Sequence, residues 1–299
     1  MGLTENLPSP SGSPRFRTAD DLLHHRHFPA AIDSLIDGLA SLYGNDLRLV
    51  RTLFEFQRAV TFMIAVGIDA MQREGDAELS VATLADAAAL MGIGPVRVVR
   101  RFVDEWREDG LILADPMPDD RRRHRLRATE RMLAIDREWL AAFHAPLLEL
   151  APNEPRFRAA VVRDPDYHHD YRYVSQQALA LANRVMVENP PVDFFMHHTS
   201  GARLLAVLLQ AARGNADGWT PAGFYSAAAT RTATSRVQVR AVLHLARDRG
   251  LVELSDRVEG RVRVSPVLQT GFAKWAAHAL LAVDLVSAFS IADAHRRRR

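Results

Sequence analysis

Apolar residues recur every three or four positions along most of the chain, the spacing of helices that bury one face. Pro29 in a first turn and Gly44 just past an end predict a helix over 29–43. Leu53, Phe56, Val60, Met63 and Ile64 keep helical spacing and predict a second over 47–71. Glu74-Gly75-Asp76 breaks the pattern, and Ser80 then caps a short helix over 81–90. The turn Met91-Gly92-Ile93-Gly94 leads into a longer helix over 95–108, which Gly110 ends. Leu111-Ile112-Leu113 and residues 124–128 predict two strands joined by a polar tip over 115–123. Thr129 caps the next helix, from 130 to about 143 with 150 as its outer limit.

Pro152 and Pro155 punctuate the middle of the chain, and Pro190-Pro191 separate helices over 171–187 and 194–213. Thr220 caps another short helix with Pro221 at its first position. A largely apolar helix follows over 266–290, carrying Phe272, Trp275, Leu280 and Val283. Residues 1–19, rich in Pro, Ser and Gly, read as disordered, and 296–299 as a basic tail. The implied organisation is a first half over 20–150, a linker over 151–170 and a second half over 171–295.

The order of elements occurs twice. With an offset of 140, Ser80 falls on Thr220, Ala87-Ala88-Ala89 on Ala227-Ala228-Ala229, Val99-Arg100 on Val239-Arg240, and Gly110-Leu111 on Gly250-Leu251. Beyond the glycine the offset is 136, and Arg125-Leu126-Arg127 falls on Arg261-Val262-Arg263. A variable loop between fixed strands accounts for the change. Alanine triplets alone would be coincidence; cap, glycine, helix and strand matching together are not.

Composition narrows the class. The 299 residues are 48% hydrophobic and 25% charged, enough for folded cores. Cysteine is absent, which excludes disulfide scaffolds, thiol nucleophiles and thiolate metal sites and fits a cytoplasmic protein. No apolar run reads as a membrane span, and the N-terminus lacks a signal pattern. There is no phosphate-binding glycine loop, nucleophile elbow or paired metal motif, so the expectation is a protein without catalysis or cofactor. Net charge is only +2, and Lys274 is the sole lysine, so positive charge is arginine, which grips phosphate and guanine bidentately.

The placement of those arginines suggests a partner. A short helix, tight turn, longer helix and hairpin can set the longer helix in the major groove of double-stranded DNA and the hairpin on its backbone. In the first copy Val99, Phe102, Val103 and Trp106 face inward, while Arg97, Arg100 and Arg101 lie on other faces. Its hairpin holds Arg121, Arg122 and Arg123, diluted by Asp115, Asp119 and Asp120. In the second, no acidic residue occurs from Gly218 to Arg247. Arg231, Thr232, Thr234, Ser235, Arg236, Gln238 and Arg240 crowd the turn and helix start, and Arg257 and Arg261 follow in the hairpin. Hydroxyls and amides at a helix start suit phosphate, and Arg and Gln suit guanine and adenine edges. A solvated polar surface is the plain alternative.

Leu84-Ala85, Gly110-Leu111, Pro118-Asp119-Asp120-Arg121-Arg122 and Thr129-Glu130 make the first copy resemble the MarR family of bacterial winged-helix regulators. The resemblance implies a mainly α fold with small β-hairpin wings, here as a tandem winged helix-turn-helix in a pseudo-twofold, MarR-dimer-like arrangement. It implies Arg121 or Arg122 on DNA and Asp120 bracing the wing. The chain departs from the family at Gly94-Pro95-Val96, which lacks hydroxyl and arginine readers; the second copy has them but has lost the paired-arginine wing.

The expected function is a sequence-specific transcriptional regulator reading an asymmetric or pseudo-palindromic site, as a monomeric pseudo-dimer in preference to a homodimer. A small-molecule effector of unassigned identity stays open, and no membrane partner is expected. The alternatives are a protein-interaction module and a plasmid-type replication initiator built from tandem winged helices. The histidines at 24, 25, 27, 168, 169, 197 and 198 read as solvated or capping, without a metal.

Overall fold

Side-chain caps and first-turn prolines decide where most of the α-helices start. The computed structural model describes residues 13–44, 46–117, 124–215, 217–255 and 260–297. Four helices lead in: α1 (Ala19–Leu23), α2 (Phe28–Ser41), α3 (Leu47–Leu53) and α4 (Phe56–Glu74). The first repeat unit follows as α5 (Val81–Ala89), α6 (Val96–Glu108), β1 (Ile112–Pro116) and β2 (His124–Ala128), and α7 (Glu130–Leu150) leaves it. The middle holds α8 (Pro155–Val161), α9 (Pro165–Ser175), a 3-10 turn over Gln176–Ala178, α10 (Leu179–Val187), α11 (Pro190–Met196) and α12 (Gly201–Arg213). The second unit is α13 (Phe224–Arg231), α14 (Arg236–Asp248), β3 (Val252–Leu254) and β4 (Val262–Val264), followed by α15 (Pro266–Arg297). The protein is thus mainly helical with two small antiparallel hairpins, β1 on β2 and β3 on β4.

Several boundaries differ from the periodicity, each for a local reason. The helix expected over 47–71 is two. Asp46 caps α3 through the Arg48 and Leu49 amides, and α4 restarts after Phe54, which turns inward against the Tyr43 ring. Pro190-Pro191 does not merely stop a helix; it supplies the first turn of α11. The expected helix over 194–213 then breaks between α11 and α12, where Ser200 takes φ 55°. Residues 151–170, expected as a linker, form α8 and the start of α9, with Phe157 and Tyr167 buried. The disorder expected through 19 does not extend over 13–19: Phe16 is buried and donates its amide to Asp284 at 2.9 Å. Arg297, expected in a loose tail, belongs to α15 and bonds Asp170 at 2.8 Å.

The apolar side chains form two large cores. The first unit has its own, built from α4, α5, α6, the β1–β2 hairpin and the start of α7, with Phe102 and Trp106 fully buried. The other runs from Phe16 and α2 through α7, α9 and α12 to α15, and takes in Val239, Leu243 and Val262 of the second unit. By length and composition α15 could cross a membrane, contrary to the expectation that no apolar run would qualify. However, 78% of its most apolar stretch is buried inside the protein, which marks it as a core helix.

Arginines stitch the halves together. The carbonyls at the end of α2 receive no bonds from a continuing helix. Arg203 of α12 donates to Leu39 O at 2.6 Å and Leu42 O at 3.0 Å, and Arg231 of α13 donates to Ala40 O at 3.1 Å. Cations at a helix C-terminus also meet the negative end of its dipole. Burial and the neighbouring Arg231 pull the Arg203 guanidinium down to about 10. Asp136 of α7 binds Arg172 at 2.6 and 2.8 Å and His168 at 2.7 Å, all three buried. Burial pushes the Asp136 carboxyl up, but the Arg172 charge and the His168 contact outweigh it and hold it low.

Candidate nucleic-acid interface

The two units share a backbone plan. Gly110 and Gly250, at φ 66° and 69°, end the longer helices in the left-handed region that suits glycine. The next amides return to the helix, Leu111 N to Trp106 O at 2.8 Å and Leu251 N to Ala246 O at 2.9 Å. After the hairpins, Thr129 N bonds Leu111 O at 3.0 Å and Ser265 N bonds Leu251 O at 3.1 Å. Buried positions on the longer helices also match at the offset of 140: Val99 with Val239, Phe102 with Val242, Val103 with Leu243, Trp106 with Ala246.

The entries differ. Ser80 caps α5 in a reciprocal box with Thr83. Thr220 does not cap α13. It is fully buried, exchanges bonds with Val262 (N to O at 2.8 Å, and Val262 N to Oγ1 at 2.9 Å), and so anchors the hairpin. α13 starts four residues later, from Gly223 at φ 76°.

α14 presents the surface the sequence pointed to, with corrections. Ser235 caps it, accepting the Gln238 amide at 3.0 Å. Val239, Val242, Leu243 and Ala246 turn inward, and Arg236, Val237 and Arg240 are exposed. Arg240 reaches His244 at 3.4 Å and neither it nor Arg236 has an acidic partner among the described residues. Thr234, Ser235 and Gln238 line an open groove of about 790 Å3 with Thr230, Thr199 and Arg51. Arg51, from α3 of the other half, lies 3.4 Å from the Ala233 carbonyl in the turn. Nothing in the sequence points to Arg51, because 182 residues separate it from that turn.

Three expected contact residues are committed elsewhere. Arg231 is half-buried on Ala40 O and on Gln210 Oε1 at 2.7 Å, and burial lowers its pKa. Thr232 is fully buried and donates its hydroxyl to Ala228 O at 2.8 Å. Arg261 donates to Thr220 O at 2.9 Å and to Asp217 at 2.8 Å, a brace for the hairpin and not an exposed phosphate hook.

On α6, Arg97, Arg100 and Arg101 are exposed as expected. Arg101 lies on the Phe102 ring at 5.5 Å and within 3.9 Å of Glu105. The far end of α6 is acidic and already paired: Glu105 with Arg58 of α4, and Asp109 with Arg48 of α3. Asp120, Arg121, Arg122, Arg123 and Arg257 lie outside the described residues. No group of three or more His, Asp or Glu side chains able to hold a metal occurs among the described residues. The histidines serve structure: His168 on Asp136, His169 on Glu74 at 2.8 Å, His198 on Phe194 O at 2.6 Å.

Comparisons of the chain with protein-family models, curated proteins and solved structures find no match.

Proposed function

We propose that the protein is a DNA-binding transcriptional regulator, in the cytoplasm with its DNA, whose two repeat units are tandem winged helices of MarR-like type in one pseudo-dimeric chain. The observation that carries this is the exposed start of α14, where Arg236, Arg240 and Gln238 stand beside hydroxyls on a stretch without acidic residues. Guanidinium and amide groups at the start of such a helix match phosphate and base edges. The shared α2, α7, α12 and α15 core supports the single-chain arrangement, because helices of both halves build it. Two unequal reading helices call for an asymmetric or pseudo-palindromic site. The reading assigns no catalysis and no cofactor.

The test is binding of the full chain to random duplex DNA by fluorescence anisotropy across salt. Phosphate contacts make affinity fall steeply with salt. The expected result is a steep slope that Arg236→Ala with Arg240→Ala makes shallower. Absence of binding at low salt would overturn the reading.

A second reading, as a protein-contact module, is favoured at the first unit alone. Leu90 is 71% and Val96 48% exposed at the turn where the second unit places polar groups.

A further inference from the structure

α14 turns three apolar side chains toward solvent. Val237 is 78% exposed, more than any other large apolar side chain among the described residues. Ala241 and Leu245 follow at steps of four and are exposed as well, which lays them along one side of the helix. Val239, Val242, Leu243 and Ala246 fix the inward direction. At about 100° per residue, Val237 points away from all four, with Arg236 and Gln238 to either side. The outermost side chain in the first turn of α14 is therefore a valine with polar flanks.

α6 shows that the shared backbone plan does not require this. At the offset of 140, Val237, Ala241 and Leu245 fall on Arg97, Arg101 and Glu105. The same face is charged in one unit and apolar in the other, although both helices bury matching positions. Leu245 lies about 12 Å further along the axis than Val237, at 1.5 Å per residue. Of the three, Val237 and Ala241 alone share the first two turns, the part of such a helix that meets base edges.

The size and the rim of this face point to what covers it. A valine, an alanine and one distant leucine are too few for a protein interface, which takes about 800 Å2 per partner. Arg236 and Arg240 stand beside the valine without acidic partners among the described residues, and no acidic residue precedes Asp248 on the helix. A narrow apolar strip between cations matches a major groove, where anionic backbones flank the base edges. Of the four bases, only thymine presents a methyl group there.

We propose that Val237, with Ala241 behind it, receives the C5-methyl of a thymine, so that an A·T pair specifies the half-site under α14. The inference rests on the DNA reading and adds the base that it selects. Arg97 holds the corresponding place on α6, so the half-site under the first unit carries no such demand.

The test starts by using the full chain to select its preferred duplex from a randomised library. Each thymine of that duplex is then replaced in turn by deoxyuridine, which removes the methyl group and keeps base pairing. Affinity is read by fluorescence anisotropy at fixed salt. The expected result is one or two positions where the replacement weakens binding about fourfold, the scale of one methyl group taken out of water. Val237→Ser should weaken binding to the thymine duplex to a similar degree and make the replacement at those positions nearly neutral. Its melting temperature should match that of the parent chain, because the side chain is exposed. Arg97→Ala should leave the deoxyuridine effect intact. A deoxyuridine effect that survives Val237→Ser or vanishes in Arg97→Ala, the absence of any such effect, or a selected site without thymine would overturn the inference and leave DNA binding standing. Absence of duplex binding at low salt would overturn both.

Discussion

The two repeat units share a backbone plan and fill it differently. At the position where the first unit buries Trp106 against Phe62 and Phe102, the second has Ala246. The first unit therefore surrounds its own core, while the second closes its core against the helices of the scaffold. Their outward faces diverge too. α6 carries Asp104, Glu105 and Glu108, whereas α14 has only Asp248, at its last position. A unit with its own core can loosen without taking the scaffold with it; one built into the scaffold cannot. What two copies keep in common is hydrogen bonding at the glycine and after the hairpin, which is the part of the plan that does not depend on which side chains fill it.

The sharpest way to break that comparison is to empty the first core. Trp106→Ala should cost about 3–5 kcal/mol, the range for removing a large aromatic from a packed interior. Urea denaturation gives the total. Hydrogen exchange gives its location: amides of α5 and α6 should lose protection while those of α12 and α14 keep theirs. Equal loss in both units would mean that the cores are not separate.

Next in size is the arginine stitch of the second unit. Arg203→Ala leaves the Leu39 and Leu42 carbonyls without their donor, and each carbonyl left buried and unpaired costs about 1–3 kcal/mol. A loss of at least about 2 kcal/mol is expected in urea denaturation, with exchange now faster in α13 and α14 and unchanged in α6. Loosening of α6 instead would reverse the assignment of which unit depends on the scaffold.

A smaller effect, on binding, separates exposed from committed arginines. Within the proposed DNA reading, Arg240→Ala should lower the salt slope of binding by about 1 for a lost phosphate contact and weaken DNA binding without changing the melting temperature. Arg231→Ala should do the opposite, lowering the melting temperature with the salt slope unchanged, because its guanidinium holds α2 and Gln210. Arg97→Ala and Arg100→Ala decide whether α6 shares the work. A slope change equal to that of Arg240→Ala would make the two units functionally alike despite their different faces.

Much of this frame is legible in the sequence, and the failures have a common cause. Ser80, Gly110, Thr129 and Gly250 act within a few residues of themselves, so local pattern is enough to place the elements around them. Thr220 resembles a cap by composition, but its partner is Val262, 42 residues away across the hairpin. Arg231 and Thr232 look like members of a basic, hydroxyl-rich surface because sequence does not show which side of a turn the scaffold covers. The same limit hides Arg51, which reaches the Ala233 carbonyl from 182 residues away along the chain.

The smallest expected effect lies in the second hairpin, where Arg261 is tied and its counterpart Arg125 is exposed. Asp217 accepts the Trp219 amide at 3.0 Å and Arg261 at 2.8 Å. The Trp219 bond first, and Arg261 after it, hold the Asp217 carboxyl below the ordinary carboxylate range. A carboxylate depressed in the folded state adds stability above its unfolded pKa and loses that stability as pH falls through the folded value. Asp217→Asn should therefore flatten the acid limb of the melting curve below about pH 4, where unfolded aspartate titrates. The change should be slight, because solvent screens a carboxylate so exposed. Arg261→Ala leaves the Trp219 bond in place and should flatten the limb less, and Arg125→Ala should leave it alone. If Arg261→Ala flattened it more than Asp217→Asn, the arginine would act on more than this carboxylate. The brace would then extend through Thr220 O into the strand, making the second hairpin depend on a single side chain where the first does not.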